Sequence, residues 1–191
     1  MLDFDPRRGW EALDARLNRT ESPRQRKMLE TVIEHVQAEM AMSLDRLMGT
    51  LVAEPEYHFW VGGKDVGPKG YDAVRDYYAA FVASGGAVMQ TPKDRIVVDD
   101  DHIAYEGMIS NVVPGRVAKA RGYNIDDEAA HYLVRFRNVV FWSFDDDGLA
   151  LGEDAYTAID PGDFDELDSS DLPDAYVKYL ESLGEPVRVR A

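Results

Sequence analysis

The sequence predicts an α+β fold in which helices are segregated from an antiparallel sheet. Apolar residues recur at helical spacing through most of the first 85 residues, whereas residues 95–158 hold runs rich in β-branched and aromatic side chains. Helices and strands are therefore segregated along the chain, as in α+β proteins. They do not alternate as a parallel α/β fold would require, and no GxGxxG or GxxxxGK[ST] motif is present.

The N-terminal part contains an arm and a long helix. Residues 1–22 form the arm, in which Gly9–Leu17 has the spacing of a short helix. Ser22 followed by Pro23 is an N-cap and first-turn signal, so a long helix begins there. Its apolar face comprises Met28, Val32, Ile33, Val36 and Met40.

A second helical stretch follows and ends at Pro55, after which residues Tyr57–Val61 are expected to form a short strand. Gly70 begins another helix that carries a Tyr-Tyr pair, and the Gly85–Gly86 dipeptide ends it. The chain then changes to strands.

The second half contains four β-rich runs, with the hairpin turn Asp145–Gly148 between the last two. Residues 114–130 are expected to be a long loop. The predicted domain spans residues 23–160, and residues 161–191 form an acidic tail with one short amphipathic helix. The four runs are Arg95–Val98, Ile103–Val113, His131–Phe144 and Leu149–Ala158.

Composition excludes several classes of function. The formal net charge is −15, which disfavours nucleic acid and anionic membrane surfaces as partners. The absence of cysteine excludes a disulfide scaffold and a thiolate metal site. No signal peptide or transmembrane segment is evident, so the expected location is the cytoplasm. The scattered histidines and the acidic turns lack metal-ligand spacing, so we expect no metal.

Two segments resemble the nuclear-transport-factor-2-like superfamily. The first is LDRLMGTLVAEPEYHFWVGGKDVGPKGYDAVRDYYAAF, in which a helix and a short strand precede a glycine-flanked start of the Tyr-Tyr helix. The second is FDDDGLALGEDAYTAID, which resembles the last hairpin of that family. The resemblance covers about residues 25–160. The superfamily includes SnoaL-like polyketide cyclases and steroid isomerases.

The resemblance implies a curved antiparallel sheet wrapped around N-terminal helices into a cone that encloses an apolar pocket, and it implies a homodimer. Members of the superfamily include enzymes without a cofactor, such as isomerases, cyclases, dehydratases and lyases of diaryl compounds. They also include binding modules without activity, so the resemblance implies one of these functions. Fold alone does not choose among these. The steroid-isomerase constellation is absent, because its oxyanion-hole tyrosine and protonated aspartate align with Val36 and Val140.

The strand Tyr57–Val61 supplies the first candidate for chemistry. The steroid-isomerase base aligns with Trp60, so His58, two residues earlier, is expected to face the same pocket. A histidine in an apolar pocket can act as an acid or base, although ordinary packing is equally compatible with the sequence. Tyr78 aligns with a supporting phenol of the pocket, and Tyr77 is expected to pack elsewhere.

Alternation along the two long strands gives the remaining pocket residues. Tyr105 is expected to assist catalysis as a hydrogen-bond donor, and a flat aromatic substrate suits the other inward side chains. The expected substrate-binding residues are Trp60, Asn111, Tyr132, Phe136, Asn138 and Trp142. The opposite face carries Arg135 and Arg137 and is apolar enough to form a dimer interface, although a one-residue bulge would exchange the two faces.

The loop 114–130 places Lys119 and Arg121 close together in an acidic chain. Either residue could stabilise an oxyanion as part of a lid, or the loop could be an ordinary solvated segment. The resulting hypothesis is a cofactor-free acid–base lyase that acts on a small hydrophobic phenolic or diaryl compound. The alternatives are an isomerase, dehydratase or cyclase of a polycyclic substrate, and a binding module without activity.

Overall fold

The helices precede and flank the sheet in a computed structural model that describes residues 2–61, 63–158 and 164–185. The predicted α+β class is confirmed. The helices are α1 (Glu11–Leu17), α2 (Pro23–Met40), α3 (Leu44–Met48), α4 (Tyr71–Ala83), α5 (Gly115–Ala120) and α6 (Asp174–Ser182). Helix α2 begins where the sequence predicts, and the Ser22 hydroxyl accepts a hydrogen bond from the Gln25 amide.

Eight described strands form one curved, open sheet in the order β2-β1-β7-β6-β5-β3, with β4 paired to β5 and β8 paired to β6. All pairs are antiparallel except β1 and β7, which run parallel and thereby correct the expectation of a purely antiparallel sheet. The strands are β1 (His58–Val61), β2 (Lys64–Asp65), β3 (Met89–Gln90), β4 (Lys93–Val98), β5 (His102–Pro114), β6 (His131–Phe144), β7 (Ala150–Ala158) and β8 (Phe164–Leu167).

Strands β5 and β6 are the longest pair in the sheet. They stay in register from His102 opposite Ser143 to Pro114 opposite His131. One face of this pair turns toward α2 and α4, and the main hydrophobic core lies between them. The concave face of the sheet and the helices therefore enclose the interior expected of a cone.

A polar network crosses this core. His35 of α2 places Nδ1 2.7 Å from the Thr50 hydroxyl and Nε2 2.9 Å from the Tyr78 hydroxyl, which lies 3.2 Å from that of Tyr57. The Thr50 hydroxyl donates to the Leu47 carbonyl and so accepts from His35. Burial lowers the pKa of His35 to about 3, and the ring is therefore neutral.

The segment 114–130 is more ordered than expected, because it contains α5. Helix α6 packs on the sheet through a second cluster that includes Tyr176 and Val112. The domain boundary expected at residues 160 and 161 lies outside the described residues. In the part of the chain that the structure describes, no helix combines the length and apolar character that crossing a bilayer requires.

Candidate functional site

A cavity of about 630 Å³ lies between the concave face of the sheet and helices α2 and α4. Its walls are mainly apolar, with Phe59, Phe81, Ile109 and Phe136 among the larger contributors. This volume lies in the range of small-molecule sites. Few polar side chains line it. Three ionisable ones come from different elements: Glu39 of α2, Lys93 of β4 and Glu153 of β7.

A bulge between β4 and β5 positions Lys93. The register shifts between Lys93, which pairs with Gly107, and Arg95, which pairs with Glu106. Lys93 consequently turns inward, whereas Arg95 lies on the outer face and bonds to Glu106. Gly107 is required at this point because a Cβ there would meet the Pro92 carbonyl oxygen at 1.9 Å.

A second bulge positions Glu153. The register of β6 and β7 shifts between Ser143, which pairs with Gly152, and Phe144, which pairs with Ala150. The extra residue reverses the alternation, so Glu153 faces the same interior as Ala150. Gly152 has a φ of 150°, and a Cβ on it would lie 1.8 Å from the Glu56 carbonyl oxygen.

The two acids are ionisable groups in an apolar setting. Neither carboxyl group has a hydrogen-bond or ion-pair partner within the described residues. Burial raises the pKa of Glu39 to about 7, against the opposing effect of Lys93. Burial raises the pKa of Glu153 to about 8, and the nearby Glu39 charge adds to the effect. At neutral pH the pair therefore holds a proton that it can exchange.

Lys93 adds a positive charge to the same region. Its amino group donates to the carbonyl and hydroxyl oxygens of Thr91 at 2.7 Å each and lies 4.6 Å from the centroid of the Tyr105 ring. Burial lowers its pKa to about 8, while Glu39 and Glu153 oppose that shift. Lys93 thus remains largely protonated at neutral pH.

Two tyrosines complete this group. The Tyr105 hydroxyl accepts from the Trp142 indole nitrogen at 3.2 Å, so its own proton is available to a ligand. The Tyr77 ring packs on Phe59 and Phe81, and its hydroxyl has no hydrogen-bond partner in the described ranges. Burial raises the pKa of both phenols, which keeps them protonated as donors.

A separate polar group lies where β5 approaches α5. Asn111 donates from Nδ2 to the carbonyls of Gly86 and Val88 at 3.0 and 2.9 Å. Its Oδ1 accepts from the Arg121 guanidinium at 3.2 Å. Both Asn111 and Arg121 line the cavity.

The structure brings several of the expected site residues to the cavity wall. They are Tyr105, Asn111, Arg121, Phe136 and Asn138, whereas Trp60 borders the cavity without directing its ring into it. The Asn138 amide oxygen accepts from the Thr157 hydroxyl at 3.0 Å. The Trp60 ring stacks instead on His58 and Tyr156, with centroids 6.3 and 6.2 Å away, and is directed to the outer face of the sheet.

The expectation that His58 faces the cavity is wrong. Its side chain lies on the outer face, where Nδ1 is 2.7 Å from Asp65 and 2.9 Å from the Lys69 ammonium. There it borders a smaller, acidic surface pocket that includes Glu56 and Asp154. Phe59 occupies the inward position, because β1 pairs Phe59 with the inward Ala155. No group of three or more His, Asp or Glu side chains in the described ranges is arranged to hold a metal.

The roles expected of the Tyr-Tyr pair are exchanged. Tyr78 is buried in the polar network with His35 and Tyr57 and does not line the cavity. Tyr77, expected to pack elsewhere, lines it. The ring of Tyr78 packs edge-on against that of His35.

Three further residues lie away from the cavity. Tyr132 belongs to the cluster under α5, and its hydroxyl donates to the Asp127 carbonyl. Trp142 is fully buried and reaches the site only through Tyr105. Lys119 is exposed and forms an ion pair with Glu128, so it cannot serve as a cation of the cavity.

Sequence reasoning missed Glu39, Lys93, Glu153 and Tyr77. A signal for Glu39 was present, because it lies three residues after Val36 and interrupts an apolar helix face. No comparable signal existed for Lys93 and Glu153. Strict alternation from the strand ends assigns both to the wrong face, and only the bulges turn them inward.

No family model and no curated protein sequence matches the chain. Solved structures do match it. A SnoaL-like polyketide cyclase from Jannaschia sp. CCS1 has a TM-score of 0.56 at 13% identity, over 73% of this chain and 90% of its own. An NTF2-like protein from Anabaena variabilis has a TM-score of 0.54 at 12% identity, over 74% and 96%. A phenazine biosynthesis-related protein from Pseudomonas aeruginosa has a TM-score of 0.53 at 14% identity, over 96% of each chain.

These similarities agree with the mixed α+β class and the curved, open sheet. The resemblance read from the sequence is confirmed at the level of fold. The chain has the nuclear-transport-factor-2-like fold.

Proposed function

We propose that the chain is an acid–base enzyme that acts on a small, largely apolar oxygenated molecule in the 630 Å³ cavity. The observation that carries the proposal is the pair of unpartnered carboxyl groups, Glu39 and Glu153, in an apolar enclosure. The pKa values of both lie near neutrality, one at about 7 and the other at about 8. Strongly shifted groups in a cavity are typical of catalytic sites.

The pair can supply a base and an acid together. The ionised carboxylate removes a proton from the substrate, and the protonated carboxyl group delivers one to a departing or rearranging oxygen. Since the Glu39 charge adds to the upward shift in the pKa of Glu153, Glu153 keeps its proton to the higher pH. Lys93 would stabilise negative charge that develops on oxygen, and Tyr105 and Tyr77 would donate hydrogen bonds to the substrate.

A base and an acid in one cavity suit a lyase that eliminates an oxygen group or cleaves a carbon–carbon bond. An isomerase or cyclase would use the same two transfers. The flat aromatic walls, including Phe59, Phe81 and Phe136, favour a phenolic or diaryl substrate. Two of the structural neighbours are described as a polyketide cyclase and a phenazine biosynthesis-related protein, which supports a role in processing small ring compounds.

A probe reaction tests the base without knowledge of the substrate. Nitrobenzisoxazole opens when a base removes its ring C–H proton; the N–O bond breaks, and a nitrile and a coloured phenolate form. The wild-type chain is expected to accelerate this opening, with a rate that rises through an apparent pKa of about 7. Glu39→Gln and Glu153→Gln should each lower kcat/KM by at least about tenfold.

Glu56→Gln is the matched control, because its side chain is exposed on the outer face and should leave the rate unchanged. Intact thermal melts of all variants would show that the fold is retained. A wild-type rate no higher than that of acetate buffer at equal concentration would refute the enzyme hypothesis. Probe-induced stabilisation without turnover would instead favour a binding module without activity.

A further inference from the structure

The charged groups of the cavity fall into two separate sets. Lys93 interacts with Glu39 and Glu153. Lys93 lies over the ring of Tyr105, whereas Arg121 bonds to Asn111, six residues further along β5. The cavity therefore has an acidic end near Tyr105 and a cationic end near Asn111.

The spacing of the two ends follows from strand β5. Tyr105, Gly107, Ile109 and Asn111 line the cavity in succession along it. Six residues of extended chain span roughly 20 Å between the α-carbons of Tyr105 and Asn111, and inward side chains shorten the free distance. A ligand that touches both ends must be elongated, with a length of about two linked rings.

Arg121 is held in place without neutralisation of its charge. No carboxylate of the described residues lies within salt-bridge distance of its guanidinium, although the chain has a net charge of −15. Its Nη1 donates to Asn111 Oδ1, and the Asn111 amide is oriented by its bonds to the Gly86 and Val88 carbonyls. The remaining N–H groups of the guanidinium have no partner among the described residues and can meet a ligand.

Four other cations of the described residues are paired with acids instead. Arg116, Lys119, Arg135 and Arg137 all form ion pairs with surface carboxylates. Arg121 alone of the arginines of the described residues lines the cavity, and its side chain remains partly exposed, which places it at the mouth. An anionic ligand at the mouth could therefore form a charge-assisted hydrogen bond with the guanidinium.

We propose that Arg121, oriented by Asn111, binds a carboxylate or other anionic oxygen group of the substrate. The substrate would then be an elongated aromatic acid or phenolate whose reacting end lies near Glu39 and Glu153. This inference rests on the proposed function for the identity of the reacting end. The unpartnered Tyr77 hydroxyl lies within electrostatic range of both ends and would bond to the middle of such a molecule.

A matched pair of ligands tests the cationic end. Biphenylcarboxylate and its methyl ester have nearly the same shape and differ in charge. The wild-type chain is expected to bind the carboxylate about tenfold more tightly than the ester, as measured by tryptophan fluorescence or calorimetry. Arg121→Gln should abolish this preference while changing the affinity for the ester by less than about twofold.

Lys119→Gln is the control, because it removes a cation from helix α5, two residues before Arg121, but outside the cavity. It should retain the preference of the wild-type chain. Equal affinities of the wild-type chain for the two ligands, or an unchanged preference in Arg121→Gln, would overturn the inference. Glu153→Gln separates the two hypotheses, since it should lose turnover of nitrobenzisoxazole and keep the preference for the carboxylate.

Discussion

At the scale of single residues, two kinds of buried ionisable group have opposite effects on the stability of the fold. His35 is neutral inside a satisfied hydrogen-bond network. Glu39 and Glu153 face a cavity without partners. The first group stabilises the fold through its bonds, whereas the other two weaken the fold whenever they ionise.

His35 should make the chain less stable in acid. Its pKa is about 3 in the folded chain and about 6.5 when unfolded, so the unfolded chain binds its proton first as the pH falls. The stabilising contribution is complete above about pH 6.5 and is lost progressively below it. Between about pH 7 and about pH 5 we expect the free energy of unfolding to decrease by about 2 kcal/mol through this residue.

Urea unfolding of the wild-type chain and His35→Gln at both pH values measures this contribution. The variant should be less stable at neutral pH and should show the smaller decrease in acid. The difference between the two proteins removes the contributions of the other titrating groups. Parallel pH dependence in the two proteins would contradict the neutral state of His35.

Glu153 should make the chain less stable as the pH rises, which is opposite to the effect of His35. Its pKa is raised in the folded chain to about 8 from an ordinary 4.5, so its stabilising contribution is complete below about pH 4.5 and is lost as the pH rises toward 8. Glu153→Gln removes the charge and is expected to raise the free energy of unfolding at about pH 8 by about 1–3 kcal/mol. A thermal melt that shows no gain over the wild-type chain at that pH would count against the buried charge.

At the scale of elements, the sequence predicts the regular segments well. Helix α2 and strand β6 have the bounds that the Ser22–Pro23 signal and the apolar run imply. The short strands β2, β3 and β8 could not be predicted, because two to four residues give no periodicity. Helix α5 was not predicted, because it lies in a segment with glycine and many charged residues.

The candidate site was harder to predict than the fold. Some of its residues lie at bulges, where side chains no longer alternate regularly between the two faces of the strand. Tyr105, Asn111, Phe136 and Asn138 lie on uninterrupted stretches, where counting by two assigns the inward face. Glu153 follows a bulge, and His58 was misplaced because Phe59, which pairs with the inward Ala155, takes the inward position on β1. A bulge depends on contacts distant in sequence, such as that of Gly152 with Glu56.

The bulge in β7 provides a prediction at this scale. Gly152→Ala would combine an unfavourable φ of 150° with a contact of 1.8 Å to the Glu56 carbonyl, so the strand must shift. We expect a loss of at least about 2–4 kcal/mol in the free energy of unfolding, measured in urea.

The control is Gly63→Ala, at a φ of 79° with no atom of the described residues within 4 Å. It carries the backbone penalty alone and should lose about 1 kcal/mol. Similar losses in the two variants would show that the close approach at Gly152 does not constrain the bulge.

At the scale of the whole molecule, the outer face of the sheet carries exposed rings and apolar chains. Phe141, Leu151 and Tyr156 are 42, 42 and 46% exposed, and Tyr156 stacks on Trp60. Arg135 and Arg137, which share this face, pair with Asp165 and Asp94 and do not enter the cavity. Exposed apolar patches of this kind are typical of association surfaces.

We therefore expect the chain to form a homodimer through this face. The double variant Phe141→Ser, Tyr156→Ser should shift the mass in sedimentation equilibrium toward the monomer and should retain the fold. Tyr71→Ser, which removes an equally exposed ring on α4, is the control and should leave the association unchanged. A wild-type chain that is monomeric at high concentration would refute the expectation.

The carboxyl pair has a practical consequence for protein engineering. Replacing Glu39 and Glu153 together by glutamine would remove both carboxyl groups from the cavity and leave nearly the same walls and volume, with Lys93 and Arg121 as its charged groups. At about pH 8 such a variant should withstand heat better than its parent, since the two buried acids of the described lining can no longer ionise. It would be a scaffold for biosensors of flat ring compounds, with Arg121 left to select those that carry a charge.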